Sequence, residues 1–135
     1  MKIEPINTKV GVIKGRDGIY LHKMEYNGSE IIFYGELVEN LFNNFGGKDL
    51  KYKLTFRNIV FYKCYELDIY PMENLLQSSF DLIKDSELLK KLKSRDSQNK
   101  IQDNHKHYIF GTYDDIFEII ATEYDLIIDN EINVK

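Results

Sequence analysis

Several kinds of residue and segment are scarce in this chain, and each scarcity excludes a class of protein. Cys64 is the single cysteine, so the chain forms no intramolecular disulfide and has no cysteine pair spaced to hold a structural metal. No apolar run approaches the roughly 18 residues that a membrane-spanning helix requires. The first residues carry an acid, Glu4, without the apolar stretch of a secretory signal. We therefore expect a cytoplasmic protein that has no contact with a membrane.

The abundant residues indicate a globular domain rich in β-structure. The chain has 135 residues, of which 43% are apolar and 30% are charged, and this suffices for one hydrophobic core. Ten tyrosines and eight phenylalanines favour strands, and tyrosine suits half-buried faces and contact surfaces. We predict one domain over residues 1–135 with an α+β fold. Its main part is antiparallel sheet, arranged as a sandwich or an open, barrel-like structure, with one short docked helix.

The N-terminal part of the chain predicts two β-hairpins. Residues 10–13 form a short apolar run, and the glycine-containing turn at 15–18 leads into a second strand at 18–26. Asn27-Gly28 then has the residues typical of a type I′ turn, in which both central residues take positive φ angles. The return strand of this second hairpin is predicted over residues 30–39, where apolar residues occupy both faces.

The clearest periodic pattern lies in the middle of the chain. Apolar and polar residues alternate from Leu50 to Arg57, which predicts a strand with one buried face. The preceding residues 40–49 predict a loop, and residues 59–68 and 78–83 predict further strands. A helix is predicted over residues 86–94, because Asp85 or Ser86 suits an N-cap, an acid follows in the first turn and basic residues lie near its end.

The segment 114–128 fits two structures. Four polar residues fall at helical spacing and would form one polar stripe of a helix, namely Asp115, Glu118, Thr122 and Asp125. Its β-branched and aromatic residues favour strands instead, and Asp114-Asp115 suits a turn after a strand at 108–113. We predict a hairpin here, with residues 125–128 prolonging the sheet.

Charge is distributed unevenly along the chain, whose net charge is −4. Residues 108–134 contain seven acids and no lysine or arginine, whereas residues 84–106 contain seven basic and four acidic residues. If the C-terminal acids share a face, they attract a basic protein and repel nucleic acid and anionic lipid. The other interpretation is a solvated acidic face that binds nothing. The candidate partner-binding residues are Asp114, Asp115, Glu118, Glu123, Asp125, Tyr113 and Tyr124.

Part of the chain resembles known protein families. The resemblance rests on Leu54–Val60, on His107–Phe110 and on Tyr113-Asp114 with Glu118–Ala121. These segments are similar to small uncharacterised bacterial β-rich families, some of which are immunity proteins of polymorphic-toxin systems. The resemblance covers the chain from residue 54 onward and implies a function by surface contact, for example the neutralisation of a toxin. It implies no shared catalytic residue.

A second hypothesis of a different class involves two of the three histidines of the chain. His105 and His107 lie two residues apart, so an extended segment places both rings on one side, with Asp103 nearby, and the candidate pocket lies near them and near the Asp114-Asp115 segment. Such a group would form a pocket for a small ligand, a metal ion or an enzyme reaction. No dinucleotide, phosphate-loop or serine-nucleophile motif accompanies it. We therefore assign no catalytic, metal-ligating or cofactor-binding residue and no cofactor, and favour a protein-binding protein, with self-association left open.

Overall fold

The structure is a computed structural model that describes residues 1–38 and 50–128. Within these residues, strands dominate and one α-helix is present. The strands are β1 Lys2–Pro5, β2 Asn7–Thr8, β3 Gly11–Val12, β4 Ile19–Tyr26, β5 Glu30–Leu37, β6 Leu50–Arg57, β7 Phe61–Glu66, β8 Phe80–Lys84, β9 Lys106–Gly111, β10 Asp115–Ala121 and β11 Glu123–Ile128. The helix α1 spans Glu87–Arg95, and short 3-10 turns occupy Arg16–Gly18, Leu67–Ile69 and Glu73–Leu75.

The strands pair into two main sheets. One sheet has the order β1-β8-β9-β10-β7, the other has the order β11-β6-β5-β4, and β2 pairs with β3 separately. Every pairing is antiparallel. Neither main sheet closes into a barrel within the described ranges. The predicted α+β fold, built mainly from antiparallel sheet with one short helix, is confirmed.

Aromatic side chains fill the space between the two sheets. Phe33 of β5 lies at the centre of this core, with its ring centroid 5.9 Å from that of Phe56, 5.4 Å from that of Phe110 and 4.8 Å from that of Phe117. Phe33 and Phe56 belong to one sheet, and Phe110 and Phe117 belong to the other. The sheets therefore pack face to face as a sandwich.

The outer face of the five-stranded sheet is covered as well. Ile109 and Ile116 alternate with the core phenylalanines and so point away from the sandwich interior. They form a second buried cluster with Ile83 and Tyr70, against which Leu67, Met72 and Leu76 pack. Because residues 67–76 cover this face, β9 and β10 are buried on both sides. Polar side chains that project outward from β10 are therefore also buried.

The second predicted hairpin and the strand at residues 50–57 are confirmed. β4 pairs with β5 from Ile19–Leu37 to Tyr26–Ile31, and β5 pairs in turn with β6. The turn is not of type I′, however, because Gly28 has a positive φ angle and Asn27 does not. The side-chain oxygen of Asn27 instead accepts hydrogen bonds from the backbone N–H groups of Ser29 and Glu30.

The first predicted hairpin is wrong. β3 pairs with β2, which precedes it, and not with β4, which follows it. A 3-10 turn at Arg16–Gly18, entered through Gly15 with a φ of 82°, separates β3 from β4. Glycine turns at 15 and 18 are therefore present, but they carry the chain away from β3 instead of folding it back.

The hairpin prediction for the C-terminal segment is confirmed in part. β9 and β10 form a hairpin around Thr112–Asp114, and residues 115–121 are strand and not helix. β11 does not prolong this sheet, because it crosses to the other sheet and pairs with β6. The helix predicted at residues 86–94 is also confirmed, with Ser86 as its N-cap.

Some predictions fall on residues outside the described ranges. These are the loop at residues 40–49 and the last two acids of the acidic stretch, Asp129 and Glu131. Among the residues that the structure describes, no helix is long and apolar enough to span a bilayer.

Candidate protein-binding edge

Two edge strands meet on one side of the sandwich. β4 is the last strand of the four-stranded sheet, and β7 is the last strand of the five-stranded sheet. The rings of Tyr26 on β4 and Tyr62 on β7 lie 5.2 Å apart. At the other end of β4, the ring of Tyr20 stacks on that of Tyr113, from the β9–β10 turn, at 5.6 Å. The two sheet edges thus contact each other near both ends of β4.

This side of the sandwich exposes an unusual amount of aromatic side chain. The exposed fractions are 50% for Tyr26, 49% for Tyr113, 41% for Tyr62, 41% for Met24 and 38% for Tyr20. We call the surface formed by these five residues the tyrosine edge. Tyrosine and methionine are enriched at protein interfaces, and contiguous exposed apolar surface is uncommon unless it has a partner.

The local structure of β4 depends on a close contact beneath it. The pairing of β4 with β5 shifts between Leu21 and Lys23, so β4 carries an irregularity of the β-bulge kind. Gly35 of β5 lies opposite Leu21, and the buried Tyr52 hydroxyl donates a hydrogen bond of 3.0 Å to the backbone carbonyl of Tyr20. This buried hydrogen bond fixes the backbone from which the Tyr20 ring projects.

One end of the tyrosine edge is acidic. Asp114 follows Tyr113 directly and is exposed, and Asp115 lies opposite Glu66 in the pairing of β10 with β7. The backbone N–H of Leu67 donates a hydrogen bond of 3.0 Å to the carbonyl of Asp114, which holds this turn against the end of β7. The three carboxylates give this end of the edge a negative potential.

The structure brings together three of the seven predicted partner-binding residues. Tyr113, Asp114 and Asp115 lie at the acidic end of the tyrosine edge. Glu123 and Asp125 lie beyond the far end of β10, and both face the Arg57 guanidinium. Given the usual rise per residue of a strand, that end of β10 is about 20 Å from Asp115.

The other two predicted residues face inward. The ring of Tyr124 packs edge-on against that of Phe80, with centroids 4.9 Å apart. Glu118 is 6% exposed and is hydrogen-bonded to His107, its Oε1 lying 2.7 Å from the histidine Nε2. The predicted acidic surface is therefore divided, and only its part around Tyr113 adjoins other exposed aromatic residues.

The sequence contained an unused signal for the residues that were missed. Tyr20, His22, Met24 and Tyr26 alternate along one strand, and all four are exposed. An apolar residue every second position usually indicates one buried face, but here the same parity also carries a histidine. The register shift between Leu21 and Lys23 then reverses the alternation, so Tyr20 projects from the opposite face of β4 to Met24 and Tyr26. The run at residues 59–68 is similar, because its aromatic residues suit an exposed edge strand as well as a buried one.

The histidines of the second hypothesis each have both ring nitrogens engaged. The Nδ1 of His105 accepts a hydrogen bond from the backbone N–H of Gln102, and its Nε2 lies 2.8 Å from the carbonyl oxygen of Asn58. His107 contacts Glu118 through Nε2 and the Ser86 hydroxyl through Nδ1. Within residues 1–38 and 50–128, no group of three or more His, Cys, Asp or Glu side chains is placed to hold a metal ion.

Burial and pairing act in opposite directions on Glu118. Burial by itself would raise the pKa of its carboxyl group. The hydrogen bond and electrostatic attraction of His107, with further contributions from Tyr70 and Lys63, outweigh burial, so the pKa of Glu118 lies below its ordinary value. Glu118 is therefore an ionised carboxylate in the folded protein at neutral pH.

Comparisons of the chain with protein-family models, with curated proteins and with solved structures give no significant match, so the case for its function depends on the surface and the buried groups described above.

Cys64 lies on the tyrosine edge and supplies a chemical probe of it. It is exposed on β7, two residues from Tyr62 and hence on the same face of the strand. Partial burial and the carboxylate of Asp115 raise the pKa of its thiol. Because the thiolate is the reactive form, we expect Cys64 to react more slowly with a disulfide reagent at neutral pH in the folded chain than in the unfolded chain.

We also expect Asp115→Asn to accelerate this reaction, since it removes the negative charge that disfavours the thiolate. Asp114→Asn is the matched control, because Asp114 does not contribute to the raised pKa of Cys64. The reaction is followed by absorbance with the purified chain. Equal rates for wild type and Asp115→Asn would contradict the placement of Asp115 beside the thiol.

Proposed function

We propose that this protein binds another protein through the tyrosine edge, and that the partner presents a basic surface. The observation that carries the proposal is the contact of two exposed sheet edges through paired tyrosine rings, next to three carboxylates at the β9–β10 turn and the end of β7. Tyrosine rings provide large, rigid contact area, and a few such residues supply most of the binding free energy of typical interfaces. The carboxylates of Asp114, Asp115 and Glu66 would speed the approach of a positively charged partner.

The backbone of the edge strands supports the same proposal. β4 and β7 are each paired on one side within the described residues. The other side of an edge strand offers free N–H and C=O groups, which proteins usually protect unless a partner uses them. A partner that contacts the tyrosine edge therefore finds both aromatic anchors and hydrogen-bonding backbone.

A more specific form of the proposal concerns the type of partner. The families that the chain resembles include immunity proteins, which neutralise toxins by surface contact. A toxin with a basic active surface has the charge that the acidic end of the tyrosine edge would attract. We therefore propose toxin neutralisation as the biological role of this contact.

The proposal is tested by capturing partners with the tagged chain and with two variants. Tyr20→Ser combined with Tyr113→Ser removes two stacked rings, and we expect it to weaken binding of the captured partner by about 100-fold or more. Leu75→Ser is the matched control, because Leu75 is 46% exposed but lies between β7 and β8, outside the tyrosine edge. Wild type and control should bind with equal affinity.

The same experiment tests the charge and the type of the partner. Affinity should fall as salt rises, and the Asp114→Asn and Asp115→Asn double variant should lose most of this dependence. A partner that binds the tyrosine double variant as tightly as wild type would refute the tyrosine edge as the interface. A partner without toxic activity would refute neutralisation while leaving the interface in place.

A further inference from the structure

A pocket opens between α1 and the strands β8 and β9, away from the tyrosine edge. Its volume is about 420 Å³, which is within the range of small-ligand sites. Leu82 and Leu89 form apolar walls, and Ser86 and His107 also line the pocket. Lys93 and Lys106 line it too, as do Lys84, Lys90 and the Asp85 carboxylate that pairs with Lys90. The pocket thus combines an apolar interior, a hydroxyl, an imidazole and positive charge.

Ser86, His107 and Glu118 form a continuous hydrogen-bonded chain beside this pocket. The Ser86 Oγ lies 2.7 Å from Nδ1 of His107, and Nε2 of the same ring lies 2.7 Å from Oε1 of Glu118. An ionised carboxylate only accepts hydrogen bonds, so Nε2 carries a proton and donates it to Glu118. In the neutral imidazole, Nδ1 is then the acceptor, and the Ser86 hydroxyl donates to it.

Helix capping accounts for only part of this arrangement. As the N-cap of α1, the Ser86 Oγ accepts a hydrogen bond of 3.0 Å from the backbone N–H of Leu89. That role requires no partner for the hydroxyl proton. The imidazole and the buried carboxylate behind it are the additional groups, and they stand in the order hydroxyl, base and orienting acid that activates a serine.

We propose that Ser86 is a nucleophile for acyl transfer, with His107 as its general base and Glu118 as the residue that positions the imidazole. The Ser86 oxygen bonds to the carbonyl carbon of an ester, and its proton passes to Nδ1 of His107. The bond from this carbon to the alcohol oxygen then breaks, and the same proton goes to the departing alcohol. Water repeats the two steps, releasing the carboxylic acid and restoring the serine.

The surroundings of Ser86 define the class of substrate. The first turn of a helix has backbone N–H groups without intrahelical acceptors, which stabilise negative charge on the carbonyl oxygen during attack. The apolar walls suit a short hydrocarbon portion, and Lys93 and Lys106 suit an anionic group at its outer end. The substrate is therefore a small ester that carries a carboxylate.

The test is covalent labelling of the full chain with a fluorophosphonate, which reacts with activated serines and loses fluoride. We expect one adduct, located on Ser86 by mass spectrometry. His107→Gln should lower the labelling rate by about 100-fold or more, which is the usual contribution of a general base. Glu118→Gln should lower the rate as well, and Glu118→Asp should recover part of it.

Two variants separate this role from helix capping. Ser86→Asn keeps an N-cap of comparable strength but has no nucleophilic hydroxyl, so the helix should form and the adduct should disappear. Ser94→Ala removes an exposed serine of the same helix and should label at the wild-type rate. The absence of an adduct on Ser86 in folded wild type, in a sample where a known serine hydrolase is labelled, overturns the proposal. So does labelling of His107→Gln at the wild-type rate.

Discussion

Replacing Gly35 by alanine is expected to lower the free energy of unfolding by about 3 kcal/mol or more, and to release the backbone under Tyr20. A Cβ atom at Gly35 would lie 1.8 Å from the backbone carbonyl oxygen of Tyr20 and 2.7 Å from the Tyr52 hydroxyl. The hydroxyl belongs to a buried side chain, and the carbonyl belongs to the neighbouring strand, so neither yields easily. β4 must therefore move away from β5. Denaturant unfolding of wild type and variant measures the loss.

The cause of this loss can be isolated with two further variants. Gly111→Ala is the matched control, because its Cβ atom would meet no backbone atom: its nearest neighbours are the Arg16 side chain, at 3.2 Å, and the Ile116 side chain, at 3.9 Å. We expect a change below about 1 kcal/mol. Tyr52→Phe combined with Gly35→Ala removes the contact with the hydroxyl but not the contact with the Tyr20 carbonyl. If this double variant regained wild-type stability, the clash with β4 would not be the cause.

Removing His107 is expected to have the second large effect. His107→Leu leaves the ionised Glu118 carboxylate buried without its partner, and this costs about 3–5 kcal/mol of unfolding free energy. Glu118→Gln keeps a hydrogen-bond acceptor for the imidazole and should cost less, about 1–2 kcal/mol. His107→Leu combined with Glu118→Met removes both members of this hydrogen-bonded pair. We expect this double variant to be more stable than His107→Leu alone, as measured by denaturant unfolding.

The contribution of Glu118 to the free energy of unfolding should also depend on pH, and the lowered pKa of Glu118 determines the direction of this dependence. A carboxyl group with a pKa below its ordinary value of 4.5 stabilises the fold at pH values above 4.5. As pH falls from there through the pKa in the folded protein, that stabilisation is lost. The difference in unfolding free energy between wild type and Glu118→Gln should therefore shrink on acidification. A difference that stayed constant with pH, or a His107→Leu variant as stable as wild type, would contradict the pairing of Glu118 with His107.

Features of the fold that depend on neighbouring residues could be predicted from the sequence. The alternation from Leu50 to Arg57 identified β6, and Asn27-Gly28 identified the turn between β4 and β5. Ser86 identified the start of α1, because a hydroxyl at that position satisfies a free backbone N–H group. In each case the physical cause lies within a few residues of the chain.

The pairing of distant strands could not be predicted in the same way. β11 has the composition of a strand, but its own residues do not indicate that it pairs with β6 and not with β10. Likewise, the glycine turn after β3 suggested a hairpin with β4, whereas β3 pairs backward with β2. Alternation of apolar and polar residues determines which face of a strand is buried, but it does not determine which other strand pairs with it.

The candidate site was predictable only in part for the same reason. Tyr113, Asp114 and Asp115 were identified because they are adjacent in the sequence. Tyr20 and Tyr62 were missed, because they join that surface only when β4 and β7 become the edges of two packed sheets. The chain from Ser86 through His107 to Glu118 also needs three separate elements, and burial of Glu118 depends on the covering of the outer face by residues 67–76.

The most direct test of the tyrosine edge is the reactivity of Cys64 in a complex with the captured partner. The chain has no other cysteine, so a maleimide reagent reports on this one position between the two sheet edges without any substitution. We predict that a bound partner slows the modification of Cys64 by about tenfold or more, since interface cores exclude solvent. Modification at the same rate in the free chain and in the saturated complex would place the partner elsewhere and contradict the account.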